Sequence, residues 1–428
     1  MNSEEAITSN LLFFEPYHTQ TSIVATNVYE VYPQTSIDYS DVLTFLIKAH
    51  PKQMIQNIEI VTKIRVLTAA GGNPAKDTNV STVSNFASAI WRTVDVVIGG
   101  ENLMQSFDNA YNIGHFFDTV LNSDANRADI LFSRELFVME DVVSKGRSEN
   151  TVFYPEEGTD VVNRAARKRA DRVKGGRETI VISDLNCSLF RTGKLLPANL
   201  DIRVALTKNY SGYALLEAAE GTHKIKYDQC YLRVTTQQPT DFCLHLIEMK
   251  LKTQPAVYQA EQGVLSYFSL TSGGKTDTIN NLFPQGRLPV FFVLAVSTRD
   301  CFGDSRAKNP FTFIAVEKIQ VYVNGVAYFP SELLGQKMHF DHLYQACGYK
   351  TAGCSLISEN SFDAYRIVPI DLTADRSSNR HHLNLSRSGD VKVNLQTYQD
   401  LPEGALLLVY AYYDRIIEID SDRNIRIK

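Results

Sequence analysis

Apolar and polar residues alternate with a period of two along much of this chain, in short runs closed off by Gly, Asn, Asp and Pro. In the first half the runs "VLTFLIKA" (42–49), "IEIVTKIRVLTA" (58–69), "ETIVISDL" (178–185) and "LDIRVALTK" (200–208) read as strands. In the second half "CYLRVTTQ" (230–237), "LPVFFVLAVS" (288–297), "YRIVPIDL" (365–372), "VKVNLQTY" (391–398) and "ALLLVYAYYD" (405–414) continue the habit. β-Branched and aromatic residues fill these runs, and turn-rich loops separate them. Many strands with few helices predict β-sandwiches rather than alternating α/β units.

One piece occurs twice. "WRTVDVVIGGENLM" (91–104) and "VEKIQVYVNGVAYFP" (316–330) each set three apolar residues on one strand face, Val94, Val96 and Ile98 or Ile319, Val321 and Val323. Each then meets a pair that tolerates positive φ and reverses a strand tightly, Gly99-Gly100 or Asn324-Gly325. An apolar run with helical spacing follows both: Tyr111, Phe116, Phe117, Val120 and Leu121 first, then Phe340, Leu343, Tyr344 and Cys347. The two copies lie about half a chain apart, too far for a solenoid or propeller repeat. At 428 residues the chain also exceeds the ~250–300 that one core comfortably spans. Two similar β domains in tandem are the expectation.

With 44% hydrophobic and 21% charged residues the chain has the composition of a folded globular protein. Its net charge of −5 gives no general attraction to nucleic acid, so any such contact has to be local. The start "MNSEEAITSN" carries Glu4 and Glu5 where a secretory signal is basic, and the longest apolar run, from Leu288, is half of the ~18 residues of a membrane span. The expectation is a soluble protein outside the secretory pathway, with Cys187, Cys230, Cys243, Cys301, Cys347 and Cys354 as buried thiols. Several of them sit in apolar runs that look like strands, such as "DFCLHLIEM" (241–249).

Two segments stand apart. The start turns abruptly apolar at Leu11, Leu12, Phe13, Phe14 and Tyr17, which reads either as an arm that docks on a neighbour or as a first strand packed on its own domain. An insertion at about 143–177 ends in "RAARKRADRVKGGR", with Arg164, Arg167, Lys168, Arg169, Arg172, Lys174 and Arg177 against Asp171 alone. Such a run is either a solvated helix face or a local phosphate contact.

The residues that catalysis needs are not marked. "SGGKT" (272–276) lacks the first glycine of a phosphate loop and reads as a turn. His339 and His342 share a helix face but have no positioned third ligand. No cofactor, metal or small-molecule substrate is implied. A carbohydrate-binding or carbohydrate-cleaving β-sandwich is the alternative function, because the chain has 21 Tyr and 22 Phe; Trp91 is its only tryptophan.

Several ordered stretches resemble the hexon-like major capsid proteins of Polinton or Maverick elements and the related adintoviruses. They are "PYHTQTSI", "VDVVIGGENL", "YNIGHFFDTVLN", "LDIRVALTKN", "RDCFGDSRAKNPFTFIAVEKIQVYVNGVAYFP" and "LVYAYYDRIIEIDSDRNIRIK", which together span about residue 11 to the end. The resemblance implies an all-β fold, a double jelly roll of two tandem eight-stranded sandwiches with short helices and loop insertions. The expected division is an arm at 1–20, a first jelly roll at 21–222 and a second at 223–428. The resemblance further implies a non-enzymatic protein that forms homotrimeric, pseudo-hexameric capsomers and then an icosahedral shell around double-stranded DNA. Its implied place is the virion, after synthesis in the host cytoplasm. Implied partners are further copies of itself, a single-jelly-roll vertex (penton) protein, packaged DNA, a packaging ATPase and a maturation protease.

Overall fold

In a computed structural model of the chain, the described residues are 19–139, 164–217, 222–302, 309–346, 356–357, 362, 366–376, 378 and 383–428. The alternating runs form strands. In the first half these are β1 (Ile23–Val31), β2 (Val42–Ile47), β3 (Met54–Thr68), β4 (Trp91–Ile98), β5 (Glu101–Gln105), β6 (Thr179–Asp184), β7 (Ile202–Lys208) and β8 (His223–Pro239). In the second they are β9 (Ala256–Ser269), β10 (Thr276–Ile279), β11 (Phe291–Thr298), β12 (Val316–Val323), β13 (Val326–Ala327), β14 (Val368–Asp371), β15 (Val391–Thr397) and β16 (Ala405–Ile419).

Their order in the sheets is the same in both halves. The first half forms β1-β8-β3-β6 and β2-β7-β4-β5; the second forms β9-β16-β11-β14 and β10-β15-β12-β13, with short extra strands at Ile425–Ile427 and Leu333–Leu334. All these pairings are antiparallel. Each half therefore wraps its first strand against its eighth and its second against its seventh, the two-sheet winding of a jelly roll. The chain is a double jelly roll.

Two expectations need correction. The division at 222/223 cuts β8 away from its partners: β8 pairs with β1 from Ile23↔Pro239 to Val31↔Leu232, and with β3 along its other edge. The first jelly roll thus continues to Pro239. The segment "DFCLHLIEM" is a helix in the connection between the jelly rolls, not a strand. There Thr240 accepts a hydrogen bond from the Cys243 amide, Asp241 sits in the first turn, and Leu, Met, Glu and Lys favour the helical state.

Five helices matter below: α1 (Ala110–Asn122), α2 (Ala128–Glu135), α3 (Arg164–Val173), α4 (Asp241–Leu251) and α5 (Gly335–Ala346). The repeated piece takes the expected form. Val94, Val96, Ile98, Ile319 and Val321 are buried, and both turns are left-handed, with φ of 56° and 89° at Gly99 and Gly100 and 51° and 77° at Asn324 and Gly325. Helix α1 buries all five expected apolar residues, whereas α5 buries Leu343 and leaves Phe340 and Tyr344 half-buried. Cys347 lies outside the described residues.

The cores explain why two runs of the second half, 288–297 and 405–414, are apolar nearly throughout and do not alternate. On β11 and β16, Phe292, Leu294, Val296, Leu407, Val409 and Ala411 point into the second jelly roll's own core. Their neighbours Val293, Ala295, Leu408, Tyr410 and Tyr412 belong to a core continuous with the first jelly roll. Strand β11 and the first half of β16, Ala405 to Tyr412, are thus covered on both faces, so they are uninterrupted apolar runs instead of alternating ones.

Helix α1 and the loop before β12 close the seam. Phe116 stacks on Phe311 at 5.1 Å and Phe117 on Phe313 at 6.0 Å between ring centroids, while Asn309 donates to Ser84 Oγ at 2.6 Å. Gly114 in α1 and Gly263 in β9 both lie so close to the Tyr410 phenol that a Cβ on either would overlap it. That close approach accounts for a glycine inside α1, where it costs about 1 kcal/mol relative to alanine.

Candidate functional site

The basic run becomes α3, and its small residues decide which way it faces. Ala165, Ala166, Ala170 and Val173 form a buried stripe that packs on the short strand Val80–Thr82. Arg169 falls on that stripe and is 0% exposed; its Nε donates to the Thr82 carbonyl at 2.8 Å and its Nη1 to the Val138 carbonyl at 3.0 Å. Arg169 therefore fastens the helix to the jelly roll and is withdrawn from any phosphate-contacting set. Arg164, Lys168, Arg172 and Arg177 are exposed, and Arg167 and Lys174 are half-buried.

Arg164, Lys168 and Arg172 recur every four residues and share one face. Two of them are oriented by α2: Lys168 Nζ and the Arg172 guanidinium lie 4.3 and 4.9 Å from the centre of the Phe132 ring. Lys174 is paired with Asp171 at 2.8 Å. The outcome is a cationic stripe of positioned side chains facing water, on a protein whose net charge is negative. Residues 143–163 of the insertion lie outside the described residues, as do Leu11, Leu12, Phe13, Phe14 and Tyr17 of the arm.

The seam between the jelly rolls encloses a cleft of about 250 Å³ lined in part by Asp118, Asn186, Arg191, Tyr410 and Tyr412. The Asp118 carboxylate accepts from Tyr412 Oη at 2.8 Å and Asn186 Nδ2 at 2.9 Å, and lies 3.2 Å from Arg191 Nη1. Its oxygens are occupied by groups from both jelly rolls, which makes it a clamp and a poor general base. Nothing in the sequence marked this set; the unbroken run around Tyr410 and Tyr412 was the signal that both faces of that strand are covered.

A second polar group lies under α1 and α2. His115 Nδ1 donates to Asn85 Oδ1 at 3.1 Å, and His115 Nε2 is 3.7 Å from Glu135 Oε2, with both residues 6% exposed. Burial, with the nearby Asp184 charge adding to it, pushes Glu135 up to about 8; burial pushes His115 down to about 4. Both are neutral near pH 7, a packed polar pair and not an acid–base dyad open to a substrate.

His339 is 1% exposed and pushed down to about 4 by burial, and His342 donates to the Pro369 carbonyl at 2.6 Å, so both are spent on packing. Among the described residues no group of three or more His, Cys, Asp or Glu is arranged to hold a metal ion. "SGGKT" makes a turn, with φ of 80° at Gly273. Trp91 is 0% exposed and unavailable as a sugar-binding platform.

Comparison with protein-family models and with curated proteins finds no match. Solved structures do match. A chain of the Sputnik virophage structure aligns with 12% identity and a TM-score of 0.67, over 100% of this chain and 93% of that one. The major capsid protein of mavirus aligns with 10% identity and a TM-score of 0.59, over 100% and 96%. A chain of the PBCV-1 virus capsid aligns with 12% identity and a TM-score of 0.58, over 97% and 99%. At these identities the likeness establishes a shared fold along the whole chain.

The buried pair yields a pH prediction. Glu135 has its pKa raised from 4.5, so its contribution to stability is full below about 4.5 and is lost as pH rises to about 8. His115 has its pKa lowered from 6.5, so its contribution is full above about 6.5 and is lost as pH falls to about 4. The two slopes oppose each other between about 4.5 and 6.5 and leave only the Glu135 loss from 6.5 to 8. Glu261, also pushed up by burial, to about 7, adds a loss that ends there, so in thermal melts Glu135→Gln should abolish the decline between about 7 and 8 and tilt the profile from 4.5 to 6.5 toward a rise. An unchanged profile would contradict the assignment.

Proposed function

We propose that this chain is a major capsid protein of the Polinton or Maverick type, a structural and non-catalytic subunit. Three copies form a pseudo-hexameric capsomer, and capsomers tile an icosahedral shell around double-stranded DNA. The observation that carries this reading is the identical strand order of the two jelly rolls, joined through strands β11 and β16, which are covered on both faces. Three such subunits related by threefold rotation present six similar lobes, so one gene product can fill a nearly hexagonal lattice. The whole-length similarity to the mavirus major capsid protein and the PBCV-1 capsid chain supports it.

In this reading the chain resides in the virion. Its main partner is itself, and a single-jelly-roll penton protein closes the vertices, where five-fold symmetry cannot accept a six-lobed unit. The arm residues Leu11, Leu12, Phe13, Phe14 and Tyr17 contribute to assembly. The exposed stripe of α3, with Arg164, Lys168 and Arg172, meets phosphates locally on an otherwise acidic protein.

Two experiments follow. Negative-stain electron microscopy of the concentrated protein should show six-lobed particles with a hexagonal outline, in sheets or closed shells; particles with two lobes at all concentrations would refute the capsomer. For the stripe, Arg164→Ser, Lys168→Ser and Arg172→Ser together, with Arg169 kept, should weaken DNA retention. They should also flatten its dependence on log salt by about 0.9 for each phosphate that is no longer neutralised. Unchanged retention and slope would assign α3 to solvent alone.

A further inference from the structure

Helix α4 is apolar on more than one side, yet only Leu251 of its eleven residues is buried. Cys243, Leu244 and Ile247 are half-buried against the body, while Phe242, Leu246 and Met249 are 71%, 50% and 51% exposed. The exposed three recur at helical spacing and make a continuous stripe. An apolar stripe of this size on a helix face is normally covered.

The stripe is also held in a fixed direction. Lys52 pairs with Asp241 at 2.8 Å at one end of the helix, and Arg423 pairs with Glu248 at 2.5 Å near the other. Turning the stripe inward would break both tethers.

The chain itself supplies a cover. The Thr240 amide, at the start of α4, donates to the Ser22 carbonyl at 2.9 Å, so the segment before Ser22 leaves the jelly roll beside the N-terminus of α4. Because β1 is antiparallel to β8, going backwards from Ile23 leads in the same direction as going forwards from Pro239 into the helix. Leu11, Leu12, Phe13 and Phe14 precede Ser22 by eight to eleven residues, a reach of up to about 26–40 Å. The helix is only about 16 Å long.

We propose that Leu11, Leu12, Phe13 and Phe14 lie along α4 of the same chain and cover Phe242, Leu246 and Met249. The apolar start of the sequence and the apolar stripe of the linker helix are two halves of one contact. It forms in a single subunit and does not depend on the capsid reading, so it can fail or hold separately from trimer formation.

The test uses the full chain. In a Cys243→Ser background, Phe13→Cys and Leu246→Cys are combined and the protein is mildly oxidised. A disulfide within one chain, identified by peptide mass and unchanged mobility between monomer bands, is the expected result. A disulfide between chains would overturn the same-chain seat in favour of a second copy's arm, and no disulfide would overturn the contact altogether. Independently, hydrogen exchange across 241–251 should speed up at least tenfold when Leu11, Leu12, Phe13 and Phe14 are all changed to serine. Unchanged exchange would overturn the proposal, and the cysteine pair at exposed Leu246 decides the matter should the serine variant fold poorly.

Discussion

The structure depends on two neighbouring strands that have to be dry on both faces. Strands β11 and β16 send alternate side chains into the core of the second jelly roll and into a seam with the first, where Val293, Leu408, Tyr410 and Tyr412 are buried. Full burial of such a side chain contributes about 1.5–3 kcal/mol, and several together approach the 5–15 kcal/mol that holds a whole domain folded. Parting the jelly rolls would give up that sum and uncover the Asp118 clamp as well. The two halves therefore behave as one rigid body.

Much of this was legible in the chain, for a physical reason. Strand position and turn position are local properties, and Val94, Val96 and Ile98, the Gly99-Gly100 turn and their counterparts around Asn324-Gly325 take the form that the alternation predicts. Pairing order is not local. The assignment of β8 to the first jelly roll depends on partners far upstream, on β1 and β3, and no periodicity within 223–239 reveals it. Helix α4 escapes a reading by pattern because a short apolar run has no decisive period, and the deciding detail is the Thr240 cap. Arg169 escapes it when a charge run is taken as a unit. Its spacing from Ala165, Ala166 and Val173 places it on the small-residue face, which a stricter helical count finds.

The two surface stripes differ from the frame in kind. The α3 stripe is a set of cations kept in water while the alanines beneath them pack, with Phe132 orienting two of them. The α4 stripe is apolar and faces outward from a helix tethered at both ends. Neither feature belongs to the jelly-roll cores: the cations of one face water, and the apolar residues of the other point away from the body of the fold.

The most direct test of the capsomer is the mass of the purified protein in solution, measured by light scattering after size exclusion at moderate salt. A stable species at three times the 48.1 kDa of one chain, or larger assemblies of that unit, is the predicted result. A monomer of 48.1 kDa at every concentration would leave the double jelly roll standing and contradict its use as a capsomer.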